Sequence, residues 1–518
     1  LDPDRPTASA IAIEDGTISA VGSDAEVRAV CDGWTEQIDG HRMAIVPGLV
    51  DAHQHPFLGA ESTQGVDLSG VRSLDELRTT LAGERLRCDP DGWIRGWGLH
   101  YEVFRETGIH GATIENAVVG QPTMLVFYDY HTALASPAAL AAARITGPVV
   151  LEGNSTVVCI DDTPTGELKE SGAMALVRQA IPEPTAEERY GWYVAALRRM
   201  NALGLTGLHG MDGTPATFDL LRRLEERDDL TLNMVTPLWQ DPTTTREEME
   251  AQLPLRNARG RTWRGGVAKF FIDGVIESGT AWLDEPDTRR EGLAPYWPSA
   301  EAYMDAVSLF ARAGFQCATH AIGDRAVRCA LDAYRAAGAA PGIRHRIEHV
   351  EQLQDRDLPR FAAERVTASM QPLHTAGIEP DGSDEWSRRL GSERCRRTFR
   401  WGDLLRSGAT LAFGSDWPVA SFDPRPGMAL ARLRRPAGVD RAPVLPDQAL
   451  SALDTLAAYT IGPAAAVGED HVCGRLRPGY RADLTAFGED PVDCPADDLP
   501  ALPVLLTVVA GRVVHRAD

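Results

Sequence analysis

The sequence predicts an α/β protein: a (β/α)8 TIM-like barrel with a small β-sandwich domain formed by both termini. Three observations predict it. Strand-like runs alternate with helical patterns through the middle of the chain, both ends read as β alone, and histidines or acids close several of the central strand candidates.

At the start, residues 10–13 and 18–21 read as short strands around a turn at Glu14-Asp15-Gly16. At the other end, residues 482–487 and 504–509 are strand-like, and Ala510-Gly511-Arg512 looks like a hairpin turn. One small β domain, residues 1–44 and 470–518, with a large domain of residues 45–469 inserted between, is the simplest arrangement. Strand candidates in the middle are 45–50, 205–211, 232–237, 267–272, 315–320, 344–349, 366–371 and 410–415. Helical patterns separate most of them, for example at 301–314, 324–338 and 401–408. Residues 56–200 are too long for one connection and contain a further strand candidate at 124–128, so they are expected to form an insertion over the barrel mouth.

The bulk numbers narrow the partners. A chain of 518 residues with 43% hydrophobic and 24% charged content is ordinary for a globular protein. Its net charge of -22 argues against nucleic acid and anionic membranes as partners and leaves a small-molecule substrate. No apolar stretch approaches the roughly 20 residues of a membrane span. The chain opens on Leu1 rather than Met, which leaves room for a short segment ahead of it. Its eight cysteines are scattered without a C-x-x-C pair, which suggests reduced thiols and a cytoplasmic enzyme. A homodimer is the assembly state held open.

Of the 52 basic side chains only Lys169 and Lys269 are lysines; all others are arginine. A primary amine can lose its proton when buried and act as a nucleophile, which a guanidinium cannot. With carbon dioxide it forms a carbamate, an anionic metal ligand. Lys269 lies in the apolar run Val267-Ala268-Lys269-Phe270-Phe271-Ile272, which reads as a buried strand. A snorkelling lysine is the plainer reading of that residue alone.

Its company changes the balance. His53 and His55 follow the strand at 45–50 and alternate, so both point to one face, a ready metal chelate. Strand 315–320 ends in His320, strand 344–349 in His349, and strand 410–415 runs into Asp416. One buried histidine is usually only a hydrogen-bonded histidine. Six ligand-type residues near the C-terminal ends of barrel strands point to a metal site.

The motifs resemble the amidohydrolase superfamily, and within it the amidohydrolase-3 branch that includes N-substituted formamide deformylases. They are Pro47-Gly48-Leu49-Val50-Asp51-Ala52-His53-Gln54-His55, Tyr128-Asp129-Tyr130-His131, Pro164-Thr165-Gly166-Glu167-Leu168, Lys269 through Gly274, Thr319-His320-Ala321-Ile322-Gly323-Asp324, Arg344-His345-Arg346-Ile347-Glu348-His349, Met370-Gln371-Pro372, Gly414-Ser415-Asp416-Trp417-Pro418 and the tail from Gly474 to Leu484. The resemblance spans nearly the whole chain. It implies one or two divalent ions, Zn2+ by expectation. His53, His55 and Asp416 would hold the more buried ion, His320 and His349 the second, and carbamylated Lys269 would bridge them. Asp416 would also be catalytic, moving a proton from water to the leaving amine. The implied activity is hydrolysis of a non-peptide C–N bond in an amide, N-formyl or cyclic amide by activated water. Where the family commonly has Ser or Gly within its first motif, this chain has Ala52.

Softer candidates for substrate contact are His131 and Asp129 on the insertion, His209, Glu277 and Trp417; Trp97, His100, Gln371 and His374 could also shape the pocket. Asp324 is expected to orient His320, and His345 to support the ligands from behind. The run Arg388, Arg389, Arg394, Arg396, Arg397 and Arg400 reads as a solvated helix face. Rival readings are ester or lactone hydrolysis, decarboxylation or isomerisation on the same scaffold, and a binding or regulatory protein on a dead one. The intact ligand set argues against the last.

Overall fold

Asp15 and Gly16 adopt φ of 48° and 76°, the left-handed pair that a tight hairpin needs, and join strand β1 (Ala10–Glu14) to β2 (Thr17–Gly22). The computed structural model describes residues 1–2, 4–41, 43–128, 130, 132–151 and 155–517. It divides into two compact units, Leu1–Pro56 with Val194–Asp518, and Phe57–Tyr193.

The single strand expected at 45–50 is two strands. β3 (Ala44–Pro47) and β4 (Leu49–Gln54) are separated by Gly48 and enter different sheets. The expected insertion of 56–200 is narrower as a unit, because the helix Ala186–Ala202 runs through its far boundary. That unit contains a six-stranded sheet of β5 (Val66–Asp67), β6 (Ile94–Leu99), β7 (Thr123–Phe127), β8 (Thr132–Ala135), β9 (Thr156–Ile160) and β10 (Thr163–Lys169). Its strands alternate between two apolar clusters: Leu125, Phe127 and Leu134 pack with Leu77, Leu81 and Phe104, while Met124, Ala133 and Ala135 pack with Met174 and Val177.

In the larger unit, β4 pairs in parallel with β11 (Leu205–Gly210), followed by β12 (Asn233–Trp239), β13 (Trp263–Phe271), β14 (Gln316–Ala321), β15 (Arg346–His349), β16 (Thr367–Met370) and β17 (Leu411–Phe413). Neighbours in space are neighbours in sequence, as a (β/α)8 barrel requires. Helices cover the outside. Asp324–Ala337 buries Ala326, Val327, Ala330, Leu331 and Tyr334, the one-sided spacing of a helix laid on a sheet.

The last segment returns to the first. The Asp416 N–H donates to the His53 carbonyl at 2.8 Å, and the His55 N–H donates to the Trp417 carbonyl at 2.9 Å. Asp51 accepts from the Ser415 N–H at 2.9 Å and from its hydroxyl at 2.6 Å. Gly414 permits this closure, because a Cβ there would lie 2.3 Å from the His53 nitrogen.

Strands β18 (Leu484–Phe487), β19 (Val504–Val509) and β20 (Arg512–Arg516) join β3 in a four-stranded antiparallel sheet. The turn between β19 and β20 again uses two left-handed residues, Ala510 and Gly511. Ile18 from β2 is buried with Leu484, Ala486, Leu506 and Val508, so both chain ends share one apolar cluster, a small β-sandwich. Among the described residues, no helix is long and apolar enough to cross a membrane.

Candidate metal centre

The C-terminal ends of the barrel strands bring five of the six predicted ligand residues into mutual contact. His53 Nε2 and His55 Nε2 lie 3.3 and 3.2 Å from Asp416 Oδ1. The His349 ring stands 4.7 Å from that of His53 and 4.4 Å from that of His320. Lys269, the sixth, is 1% exposed, and its charge is felt at His53, His320 and His349. The other lysine, Lys169, lies at the surface with Glu167 3.4 Å away.

The backbone is bent to make this cluster. His349 and Asp416 adopt φ of 73° and 61°, a region that residues other than glycine rarely enter. Such outliers persist where the surrounding structure holds them, and they concentrate at functional sites. In strand β15 the two-residue period turns Arg346 and Glu348 inward. The left-handed turn at His349 then re-aims the chain at the strand end.

The charge states suit metal ligation. Burial, then the Lys269 charge, lowers the basicity of His53. Burial holds His320 and His349 well below the ordinary histidine value, so both rings are neutral. Burial opposes the Asp416 charge, but His53 and His55 outweigh it and keep the carboxylate ionised. Burial brings the Lys269 amine down to about 8, against the opposing pull of Glu348 and Asp416.

Among the described residues, three buried imidazole nitrogens lack a hydrogen-bond partner: His53 Nε2, His349 Nδ1 and His374 Nε2. An orphaned buried polar atom is costly and asks for an explanation. His53 supplies part of it. Its Nδ1 lies 2.7 Å from Glu348 Oε2 in a fully buried pair, so Nδ1 carries the proton and Nε2 keeps a bare lone pair beside Asp416. Imidazole nitrogens and a carboxylate are the donor set of a zinc-type ion, and these residues fit one.

Among the described residues, two sets of side chains could each hold an ion: His53, His55 and Asp416, and His349, His374 and Asp416. His374 is therefore more than a pocket residue. Its ring stacks on His349 at 5.7 Å and its Nε2 lies 3.5 Å from Asp416 Oδ2. Burial disfavours a charge on His374, but the carboxylates of Glu351, Asp416 and Glu277 outweigh it and raise its pKa. His320 turns elsewhere: Nε2 is 3.3 Å from the Gly274 carbonyl and the ring packs on Phe271 at 3.9 Å.

The expected supports are corrected. Asp324 accepts from the Asp284 N–H at 2.9 Å and from Gln354, and so is engaged away from His320. The carboxylate near His320 is Asp273, 3.7 Å from Nε2 and held by the N–H groups of Trp282, Ile322 and Gly323. His345 stands just before β15 and is engaged away from the ligands. Its Nδ1 accepts from the Cys317 N–H at 3.0 Å and its Nε2 lies 3.0 Å from the Gly338 carbonyl. The residue behind the ligands is Glu348. Its sequence signal was its alternation with Arg346 in a buried strand, since two such charges must pair. Arg346 Nε donates to Glu348 at 2.5 Å.

Of the substrate candidates, Asp129 and His131 lie outside the described residues. Glu277 is solvent-accessible yet hemmed in, and its acid is pushed up to about 7 by desolvation and then by Glu351. Trp417 is buried edge-on against Phe422. His209 does not face the mouth: it accepts from Arg346 Nη1 at 2.8 Å and lines a cavity at the opposite end of the strands. The arginine run is not one solvated face either, because Arg389 is buried against Asp287 and Glu291.

A parallel eight-stranded barrel with imidazoles and a carboxylate gathered at its strand ends defines a barrel hydrolase of the metal-dependent class. The chain belongs to the amidohydrolase family, whose model matches residues 37–515, and it acts as a hydrolase of C–N bonds. It is 30% identical to Protein LONG AFTER FAR-RED 3 of Arabidopsis thaliana, with 99% of this chain and 89% of that protein covered. It is 27% identical to the N-substituted formamide deformylase of Arthrobacter pascens, with 99% and 95% covered. An uncharacterized metal-dependent hydrolase from Pyrococcus furiosus superposes with a TM-score of 0.72 at 25% identity, covering 94% of this chain and 96% of that one.

Proposed function

We propose that the protein is a zinc-dependent amidohydrolase that releases an amine from a small N-formyl or N-acyl compound, with Asp416 as its proton carrier. The observation that carries this reading is the set of orphaned ring nitrogens around Asp416, with His53 held in one tautomer by Glu348. The likeness to an N-substituted formamide deformylase favours the N-formyl substrate.

His53, His55 and Asp416 would hold one ion, and His349 with His320 a second, bridged by Lys269 as a carbamate. His374, beside Asp416 and His349, is a rival to His320 for that second place. A bound divalent ion lowers the pKa of water to about 7 and polarises the scissile carbonyl. The Asp416 carboxylate accepts the proton of the attacking water as the new C–O bond forms. It then gives that proton to the nitrogen as the C–N bond breaks. Glu348 fixes the His53 tautomer and would leave Nε2 free for an ion, and burial keeps His320 and His349 neutral, the form that could bind one. The amine of Lys269, held near 8, is neutral often enough to take up carbon dioxide. Substrate selectivity would come from the insertion read at residues 56–200, with His131 and Asp129 as its first candidates.

The test is elemental analysis of the purified chain together with a screen of N-formyl amines, N-acyl amines and cyclic amides. Zinc at about one to two ions per chain and chelator-sensitive turnover are expected. Metal-free protein with undiminished turnover contradicts the reading.

A further inference from the structure

At the N-terminal ends of the barrel strands, away from the candidate metal centre, lie two adjoining cavities of about 190 and 460 Å³. Both are lined by Arg259, Arg264 and Val467. The larger is also lined by Arg256 and Arg344, and by no aspartate or glutamate. Four arginines thus line one cleft of a chain whose net charge is -22.

These cations are unequally compensated. Arg264 is fixed by Glu469 at 2.7 Å and by the Val467 carbonyl at 2.8 Å. Arg256 is positioned by neutral acceptors, the Gly314 carbonyl at 2.6 Å and Asn257 Oδ1 at 3.1 Å. The acid nearest Arg344 is Asp470, at a loose 3.8 Å. Among the described residues, no carboxylate pairs with Arg256 or Arg259. Like charges that converge in a cleft repel, and a bound anion relieves the repulsion. Guanidinium forks match the oxygens of phosphate and carboxylate groups.

The smaller cavity reaches a buried polar chain. His209 lines it and accepts from Arg346 Nη1 at 2.8 Å. Arg346 Nη2 donates to Glu348 Oε2 at 2.9 Å, and that oxygen holds His53 Nδ1 at 2.7 Å. Three buried side chains, His209, Arg346 and Glu348, therefore lead from the cavity wall to a candidate ligand, His53.

We propose that this basal cleft is a regulatory site for a small oxyanion-bearing metabolite, a phosphate ester or a polycarboxylate, gripped by Arg256, Arg259 and Arg344 and felt at His53 through His209, Arg346 and Glu348. Binding stands independently of the metal reading; only its consequence at His53 rests on that reading.

The test is calorimetry on the zinc-loaded full chain with inorganic phosphate in one arm and succinate in the other. Saturable binding of one ion per chain is expected for at least one probe, and the arm that binds identifies the chemistry. The Arg259→Ala, Arg344→Ala double variant should weaken that binding by about tenfold or more, with turnover in the absence of the probe unchanged. No saturable binding to the parent, or equal binding to the double variant, overturns the site. Spectra of 15N-histidine-labelled parent protein test the coupling without relying on a variant. The His209 and His53 resonances should move on addition of the probe that binds. Binding that leaves both unmoved overturns the coupling.

Discussion

His345 and His349 lie at opposite ends of one strand segment and have opposite chemistry. Both ring nitrogens of His345 have partners, Cys317 N–H and the Gly338 carbonyl, so the ring fastens one strand to the next. His349, four residues on, leaves Nδ1 orphaned among three other imidazoles and holds a left-handed backbone. Residue type and burial do not separate the two, since both are under 5% exposed. The state of the ring nitrogens does. Lys169 and Lys269 teach the same lesson: one amine lies exposed beside Glu167, while the other is buried and brought down to about 8.

Substitution at the strand ends should break function far more than substitution at the strand starts. The largest effect is expected for Asp416→Asn, which keeps an oxygen near His53 and His55 but cannot carry a proton. Its kcat should fall by roughly 10²- to 10⁴-fold, with an unchanged thermal transition. Near-normal kcat in that variant removes Asp416 from the proton path.

Lys269→Arg is expected to abolish turnover, since it places a permanent cation where the account needs an anion. A pH test sharpens the point. At pH 7 an amine with a pKa of about 8 is neutral in about one molecule in ten, against roughly one in three thousand at its ordinary value. Lowering the pKa favours the neutral form, so at a fixed concentration of dissolved carbon dioxide the reconstitution of metal-free protein with zinc should speed up as pH rises toward about 8. A rate that falls over that interval contradicts the carbamate.

A smaller loss is expected behind the ligands. Glu348→Gln should weaken zinc binding by about 10- to 100-fold, because the buried Arg346 loses its counter-charge and His53 its fixed tautomer. Unchanged zinc affinity would show that another group orients His53.

The barrel was legible from strand spacing and from the residues that end each strand, because period-two alternation and a polar strand end are both local signals. The split at Gly48 was not, since Ile45 through Val50 is one apolar run and only the pairing of β3 with β18 reveals the break. The ligand candidates His53, His55, His349 and Asp416 were legible for the same local reason. Their supports were not. Glu348 reaches His53 across 295 residues, and Asp273, rather than Asp324, stands near His320, held by the N–H groups of Trp282, Ile322 and Gly323. His209 was misplaced because a strand-end position does not say what fills the barrel interior; here it is Arg346.

The most direct test of the central claim is the zinc content of His349→Asn and His345→Asn, measured side by side with the parent chain. His345→Asn should keep the parent's zinc and lose about 1 kcal/mol of stability through its altered hydrogen bonds, while His349→Asn should lose bound zinc without a comparable loss of fold. Equal zinc in both variants would contradict it.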